Sequence, residues 1–365
     1  MLLKEKPQIT MQHLRYLKSS LSLLLSVCLA CSSSESTELA SIYIPKKGDP
    51  NISLKDIAQS LETVKLETTE ESFLSMVQDV KFSKEKYFVV DMAGKILVFN
   101  KEGKFLYRLG KSGNGPGEYR HVSSIAINGK AEMVYIASGR KLLEYSFDNT
   151  FVSEKTMPFF IDHLAIIEQQ VYLIGGNDGI KKGGKYVNQR TFYKLDPDLE
   201  INDSLPIRNM QLDKETAAMF PYKHYLSQFN GENYFYLPVL INESILRDSL
   251  YQIKDEKLIP VLKLNFEPPY ISEEGIKKIA IKNVVNSPSF LTCEYDREGM
   301  RMLYFYNKNE DKGINIKEGF VDEAGENVII RPLDLENNIF YYIKAAEYTY
   351  ADAEEPNPSI VLVKL

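Results

Sequence analysis

The chain has 365 residues, of which 44% are hydrophobic and 26% charged, with a formal net charge of −6. That balance belongs to an ordinary globular protein, and the part after residue 31 has no basic block with which to engage nucleic acid. Tyr (23) and Phe (18) are abundant while Trp is absent, an aromatic load that with many β-branched residues favours sheet over helix.

In chain order, the first element is the apolar run Leu21–Ala30, preceded by Arg15 and Lys18 and followed by Cys31 and a polar Ser32-Ser33-Ser34 stretch. About ten apolar residues cannot cross a ~30 Å hydrocarbon core, so the run reads as a cleaved export signal. It resembles bacterial lipoprotein signals, which implies that Cys31 is lipidated and anchors the mature chain in the bilayer. Cys28 fits less well because Val27, not a small residue, precedes it. A plain secretory signal is the alternative. Glu5 sits where such a signal should be basic, and Met11 gives a tidier start, so both Met1 and Met11 stand as initiators. Residues 1–31 are therefore assigned to the signal and residues 32–58 to a flexible tether and lead-in, since Ser32–Glu38 is small and polar without apolar periodicity. Cys293 is then the one cysteine of the body, so the fold must rest on a hydrophobic core rather than on disulfides.

Leu61–Glu67 alternates apolar and polar residues like a half-buried strand. From Met76 onward a unit recurs: an alternating strand, a turn, an apolar strand rich in Tyr, Val and Ile, then one or two further strands. Its first copy is Val77–Phe82, Tyr87–Asp91, Lys95–Asn100 and Lys104–Leu109, and its second is Ser124–Asn128, Met133–Ala137, Lys141–Ser146 and Thr150–Val152. A third covers His163–Ile167, Gln170–Ile174 and Thr191–Asp196, and a fourth Leu226–Phe229, Tyr234–Leu237 and Ser249–Ile253. Two less regular copies follow, around Phe290–Tyr306 and from Asn338 to Leu365. The third-strand positions Phe99, Tyr145, Leu195, Ile253 and Tyr306 are spaced by 46 to 58 residues, the range of propeller blades with variable loops.

One four-stranded sheet cannot bury both of its faces, but sheets packed radially in a ring can. The pattern therefore predicts an all-β, six-bladed β-propeller over residues 59–365, with four-stranded antiparallel blades. The last repeat lacks a strand and Leu61–Glu67 lies outside the first, so the N-terminal strand is expected to close the final blade. A β-sandwich is the competing architecture, but it needs no such period and is hard to stretch over about 300 residues.

The loop Gly110-Lys111-Ser112-Gly113-Asn114-Gly115-Pro116-Gly117-Glu118-Tyr119, following Gly103–Leu109, resembles the blade-joining signature of six-bladed β-propeller lipoproteins of Gram-negative gut-type bacteria, distant relatives of NHL-repeat propellers. The resemblance covers roughly residues 55–365 and implies a cell-envelope, outer-membrane lipoprotein on the periplasmic or surface side, but no defined activity. Four glycines allow positive φ and tight reversals while Pro116 fixes one φ. The order is not that of a phosphate loop, because Gly-Lys-Ser opens the segment and no helix follows.

Chemistry on such a ring is expected at the axial mouth, near the start of each blade. His121, His163 and His224 sit near the starts of blades two, three and four; three imidazoles meeting on the axis would suit a divalent metal. Their offsets from the strand positions Ile127, Ile167 and Phe229 differ by one residue from blade to blade, which weakens convergence. Asp79, Asp91, Asp162 and Asp178 fall near strand ends, where metal sites and ordinary turns both use acids. No glycosidase pair, Ser-His-Asp set or HExxH helix is present. Arg120, His121, His163, Tyr222, His224 and Tyr225 are the expected ligand-binding rim. Gly175–Lys185 is expected to be a mobile rim loop, and Asp352–Pro358 a solvated acidic loop. The leading expectation is a monomeric, membrane-anchored, non-catalytic propeller without a cofactor, binding a ligand or protein at its axial face. The alternative is a metal-dependent hydrolase or lyase of NHL or lactonase-like type.

Overall fold

Alternation along single strands builds this molecule. In Tyr87-Phe88-Val89-Val90 all four side chains are buried; Phe88 and Val90 pack toward one neighbouring sheet, while Tyr87 and Val89 pack toward the other. Both faces of each sheet are thus hidden, which is why its inner strands read as continuous apolar runs. A computed structural model describes residues 39–49, 51–216, 222–239, 246–254, 257–346 and 356–365. Cys31 and the rest of the expected signal lie outside the described residues.

Six antiparallel sheets follow one another along the chain and form a six-bladed β-propeller. Blade 1 is Val77–Ser83, Lys86–Asp91, Lys95–Asn100 and Phe105–Leu109. Blade 2 is Ser124–Asn128, Met133–Ser138, Lys141–Ser146 and Phe151–Thr156. Blade 3 starts with Phe160–Ile167 and Gln170–Gly176 and continues into the long strands Lys185–Leu195 and Ile201–Leu212. Blade 4 comprises Leu226–Phe229, Glu232–Phe235, Ser249–Lys254 and Lys257–Phe266. Blade 5 comprises Ile279–Asn286, Phe290–Arg297, Met300–Asn307 and Lys312–Lys317. Blade 6 is Arg331–Asp334, Ile339–Lys344 and Ser359–Lys364, completed by Ser60–Lys65.

Six apolar clusters sit between consecutive blades. The one holding Val64, Tyr341 and Ile360 against Val80, Val89 and Leu97 joins blade 6 to blade 1 and closes the ring. The closing strand is the expected N-terminal one: Ser60–Lys65 lies antiparallel to Ser359–Lys364. Cys293 is buried between blades 4 and 5 as an inert core thiol. The one helical element described is the single 3-10 turn Leu54–Asp56, and no helix is long and apolar enough to cross a membrane.

Three segments depart from expectation. The described part of the lead-in, expected to be flexible, is tied down. Ala40–Ile44 adds a parallel fifth strand to the outer edge of blade 4, Asp49 bridges to Ile316 of blade 5, and Leu54 is fully buried beside Phe320 and Phe340. Bare strand edges are templates for unwanted pairing, and this strap covers them. Gly175–Lys185 is a hairpin extension of blade 3 and not a loose loop: Ile180–Lys182 pairs with Lys185–Val187. Gly183 (φ 58°) and Gly184 (φ 77°) supply the two left-handed residues its turn requires. In the acidic loop, Asn357 is buried, accepting from the Leu74 amide at 2.8 Å and donating to the Glu67 and Ser72 carbonyls at 2.9 Å. Residues 352–355 of that loop lie outside the described residues.

The glycine-rich loop is a fitted joint between blades 1 and 2. Gly110 and Gly117 have positive φ, a conformation in which any side chain is strained, and both pack tightly, Gly110 against Tyr119 and Tyr145 and Gly117 against Phe151. The Tyr119 hydroxyl donates to the Leu109 carbonyl and the Tyr145 hydroxyl to the Gly117 carbonyl.

Candidate functional site

The first strand of each blade lines the axis. The early residues of these strands gather at one end and the late residues at the other. Four β-bulges interrupt these strands, at Gln78, Asp162, Lys282 and Leu333. A bulge adds a residue and re-aims a side chain; here two of them turn Gln78 and Asp162 toward the mouth at the early end.

Three cavities adjoin at this mouth. The largest, about 590 Å³, lies over blades 2, 3 and 4 and includes Asp162, Arg190, Lys223, Tyr225 and Met210 in its walls. The next, about 300 Å³, shares His121, Ser123 and Lys223 with it and adds Gln78, His163 and Tyr222. The third, about 280 Å³, shares Gln78, Met92 and Tyr222 with the second and reaches Arg301 and Arg331. A cavity at the late end, about 270 Å³, is bordered by Lys81, His224 and Gln228.

A charged network frames the largest cavity. Arg190 donates to both Asp178 oxygens, at 2.7 and 2.9 Å, and its Nε lies 2.5 Å from Asp162. Burial works against the Arg190 charge, but the Asp178 and Asp162 carboxylates more than offset it. Burial pushes the Asp162 carboxyl up, against the pull of Arg190 and Lys223. The Lys223 ammonium stands 4.0 Å from Asp162, beyond hydrogen-bond reach. The Tyr225 ring is edge-on to His163 at 5.1 Å, and burial pushes its hydroxyl up so that it stays protonated. Phe160, more than half exposed, holds Arg140 over its face at 4.9 Å on the rim.

A second network lies deeper on the blade 5–6 side. Glu294, 2% exposed, receives Arg301 at 2.7 Å, Arg331 at 2.5 Å and the Asn283 amide at 2.9 Å. Burial alone would raise its pKa, but the two guanidiniums and the amide hold it down at about 2. The Arg331 guanidinium also lies over the Tyr222 ring at 3.9 Å, a cation–π contact that fixes this aromatic at the mouth.

The expected rim residues therefore divide. His121, Tyr222 and Tyr225 line the mouth. His163 is placed mid-channel, 3.5 Å from the Ser124 hydroxyl, and borders cavities on both sides. His224 turns to the late end, its Nε2 3.0 Å from Ser227. Arg120 is exposed and borders none of these cavities. The three histidines, expected as weak metal ligands, do not converge, because His121 stays on the rim while His224 faces the other way. Among the described residues no three His, Cys, Asp or Glu side chains stand where one metal ion could join them. Burial drives both inner histidines neutral, His163 to about 3. Of the strand-end acids, Asp91 is a buried turn knot that accepts from Ser75 and Ala93, and Asp79 pairs with Lys81 at 3.0 Å. Sequence reading missed Arg190, Lys223, Glu294 and Arg331. Glu294 alone carried a signal, as an acid inside the apolar run Leu291–Tyr295.

The family model described as a domain of unknown function (DUF4934) matches residues 41–364. No curated protein matches the chain. A Bacteroides fragilis crystal structure, described as that of a candidate exported protein, has a TM-score of 0.64 at 17% identity, covering 89% of this chain and 99% of that one. The Neurospora crassa Pan2 WD40 domain follows at TM-score 0.43 and 10% identity, covering 79% and 75%. BamB from Moraxella catarrhalis gives 0.39 and 9%, covering 78% and 75%.

Proposed function

The chain belongs to the DUF4934 family, and from that premise we propose that it is an extracytoplasmic, membrane-anchored propeller that binds a small ligand at its axial mouth without transforming it. The observation that carries the reading is the joined cavity system at the early end of the axis, of which the blade 2–4 part alone measures about 590 Å³. That size suits a small organic ligand, and a few polar groups among apolar walls are what such sites use to fix orientation. The ionic groups here are held by one another rather than poised as nucleophile and base. Arg190 is locked by two carboxylates, Glu294 by two guanidiniums, and the inner imidazoles are neutral and turned apart.

Export and anchoring rest on the Leu21–Cys31 signal, and the description of the Bacteroides fragilis structure is in keeping with export. Metabolic labelling with palmitate should mark the native protein and not Cys31→Ala; label on both, or on neither, contradicts the anchor. For the mouth, a thermal-shift panel of organic acids, neutral sugars and short peptides should give compounds that raise the melting temperature. Met210→Trp, which fills the largest cavity, should abolish the shift. Compounds that stabilise both proteins equally would place binding elsewhere.

A further inference from the structure

We propose that the mouth cavity over blades 5, 6 and 1 receives an organic oxyanion of single charge, its head taken by the Arg301 and Arg331 guanidiniums and its apolar body laid along Met76, Met92 and Ile329. The inference rests on the mouth being a binding site and adds, for this part of it, the class of ligand.

Two cations here share one anion. Among the described residues bordering this cavity of about 280 Å³, Arg301 and Arg331 are the charged ones. Their common counter-ion is Glu294, and both of its oxygens are taken. Oε1 accepts from Arg301 Nε at 3.1 Å and Nη2 at 2.7 Å; Oε2 accepts from Arg331 Nη1 at 2.5 Å and the Asn283 amide at 2.9 Å. One positive charge is left over. The acids nearby do not cancel it: Asp79 pairs with Lys81 at 3.0 Å, and the solvent-exposed Glu318 accepts from Asn327 at 3.1 Å without pairing with either guanidinium.

Both guanidiniums are fixed before any ligand arrives. Arg301 grips Glu294 through Nε and Nη2, so its Nη1 has no partner among the described residues. Arg331 has Nη1 on Glu294 and its face 3.9 Å from the Tyr222 ring, which leaves Nε and Nη2 to the cavity it borders. Planar donors held in this way suit the oxygens of an oxyanion. A cationic ligand would meet two guanidiniums and no open carboxylate. The opposite wall is apolar: Met76 is 61% exposed and Met92 49% exposed, and both border this cavity with Ile329. Bare, adaptable thioether side chains are common where a surface receives apolar groups.

The test uses the full chain in detergent with hexanoate and hexanesulfonate as probes, against hexanamide, hexylamine and inorganic phosphate. Calorimetry reads the affinity, and methyl-resolved NMR of Met76, Met92 and Met210 reads the place. At least one of the acids should bind and shift Met76 and Met92, with amide, amine and phosphate weaker by about tenfold or more. Arg301→Met removes the surplus charge while Glu294 keeps Arg331 and Asn283, so it should erase the preference for acid over amide. If Arg301→Met melts early, Met76→Glu decides, since this exposed position takes a carboxylate without touching the network. It should bind the acid about tenfold more weakly than Met76→Gln does. The proposal is overturned if neither acid binds, if amide, amine or phosphate binds as well, or if no substitution changes acid binding. A sugar or peptide that shifts Met210 while the acids shift nothing would overturn the ligand class and leave the binding role standing. If no probe of any kind shifts Met76, Met92 or Met210, both fall.

Discussion

Leu61 stands opposite Val363 in the ladder that joins Ser60–Lys65 to Ser359–Lys364, so the strand after the lead-in and the last strand share one blade. The neighbouring Val64, 5% exposed, packs with Ile360 against Val80 and Leu97 of blade 1. Ring closure thus depends on a seam of paired backbone and buried aliphatics rather than on a covalent link. Val64→Asp places an unpaired charge in that seam. It should lower unfolding free energy by about 3–5 kcal/mol in urea titration, with early loss of hydrogen-exchange protection in blade 6.

The strap is structural as well. Leu54 is fully buried among Ile316, Phe320 and Phe340, so Leu54→Ala should remove about 2–5 kcal/mol, through lost burial and the cavity left behind. A loss below about 0.5 kcal/mol in denaturant titration would mean that the lead-in does not pack on the ring as described.

Tyrosine hydroxyls separate fold from function. Tyr119 donates to the Leu109 carbonyl inside the blade 1–2 joint, so Tyr119→Phe should cost about 1 kcal/mol. Tyr225→Phe removes a hydroxyl that has no partner among the described residues. Its melting temperature should equal or exceed that of the native protein, measured by calorimetry on both variants side by side.

Stability should fall as the solution is acidified, in two stages. His163 is held neutral at about 3 against an ordinary 6.5, so the unfolded chain binds the extra proton first. Its contribution is present above pH 6.5 and is lost as pH falls from there toward 3. Glu294, held at about 2 against 4.5, contributes above pH 4.5 and loses that contribution between 4.5 and 2, amounting to roughly 3 kcal/mol. His224, which burial also holds neutral, contributes to the same stage, so His163→Gln should reduce the first stage without abolishing it. Glu294→Gln should remove the second, at a large initial loss because Arg331 is left buried without its counter-ion. Urea midpoints across pH 3 to 8 check both.

The architecture was legible because burying both faces of a sheet writes itself locally, as in Tyr87–Val90 and Met133–Ala137. The completion of the last blade by the N-terminal strand followed from counting strands. Packing of the lead-in was not legible: Ala40–Ile44 is an ordinary alternating pentapeptide whose parallel partner, Leu262–Phe266, is distant in the chain. The mouth was half legible. Tyr222 and Tyr225 stood out as aromatics flanking a strand start, whereas Arg190 and Lys223 look like any surface cation until blade 3 and blade 4 are brought together around Asp162. The bulges at Gln78 and Asp162 leave no mark on composition, and they decide which side chains face the mouth.

Methyl-resolved NMR during addition of the combined panel of organic acids, neutral sugars and short peptides tests the mouth most directly. Saturable shifts are predicted at Ile161, Met210 and Val239, which border the largest cavity, with Ile259 and Ile314, exposed elsewhere on the described surface, unmoved. Shifts confined to Ile259 and Ile314, or none anywhere at millimolar ligand, would contradict binding at the axial mouth.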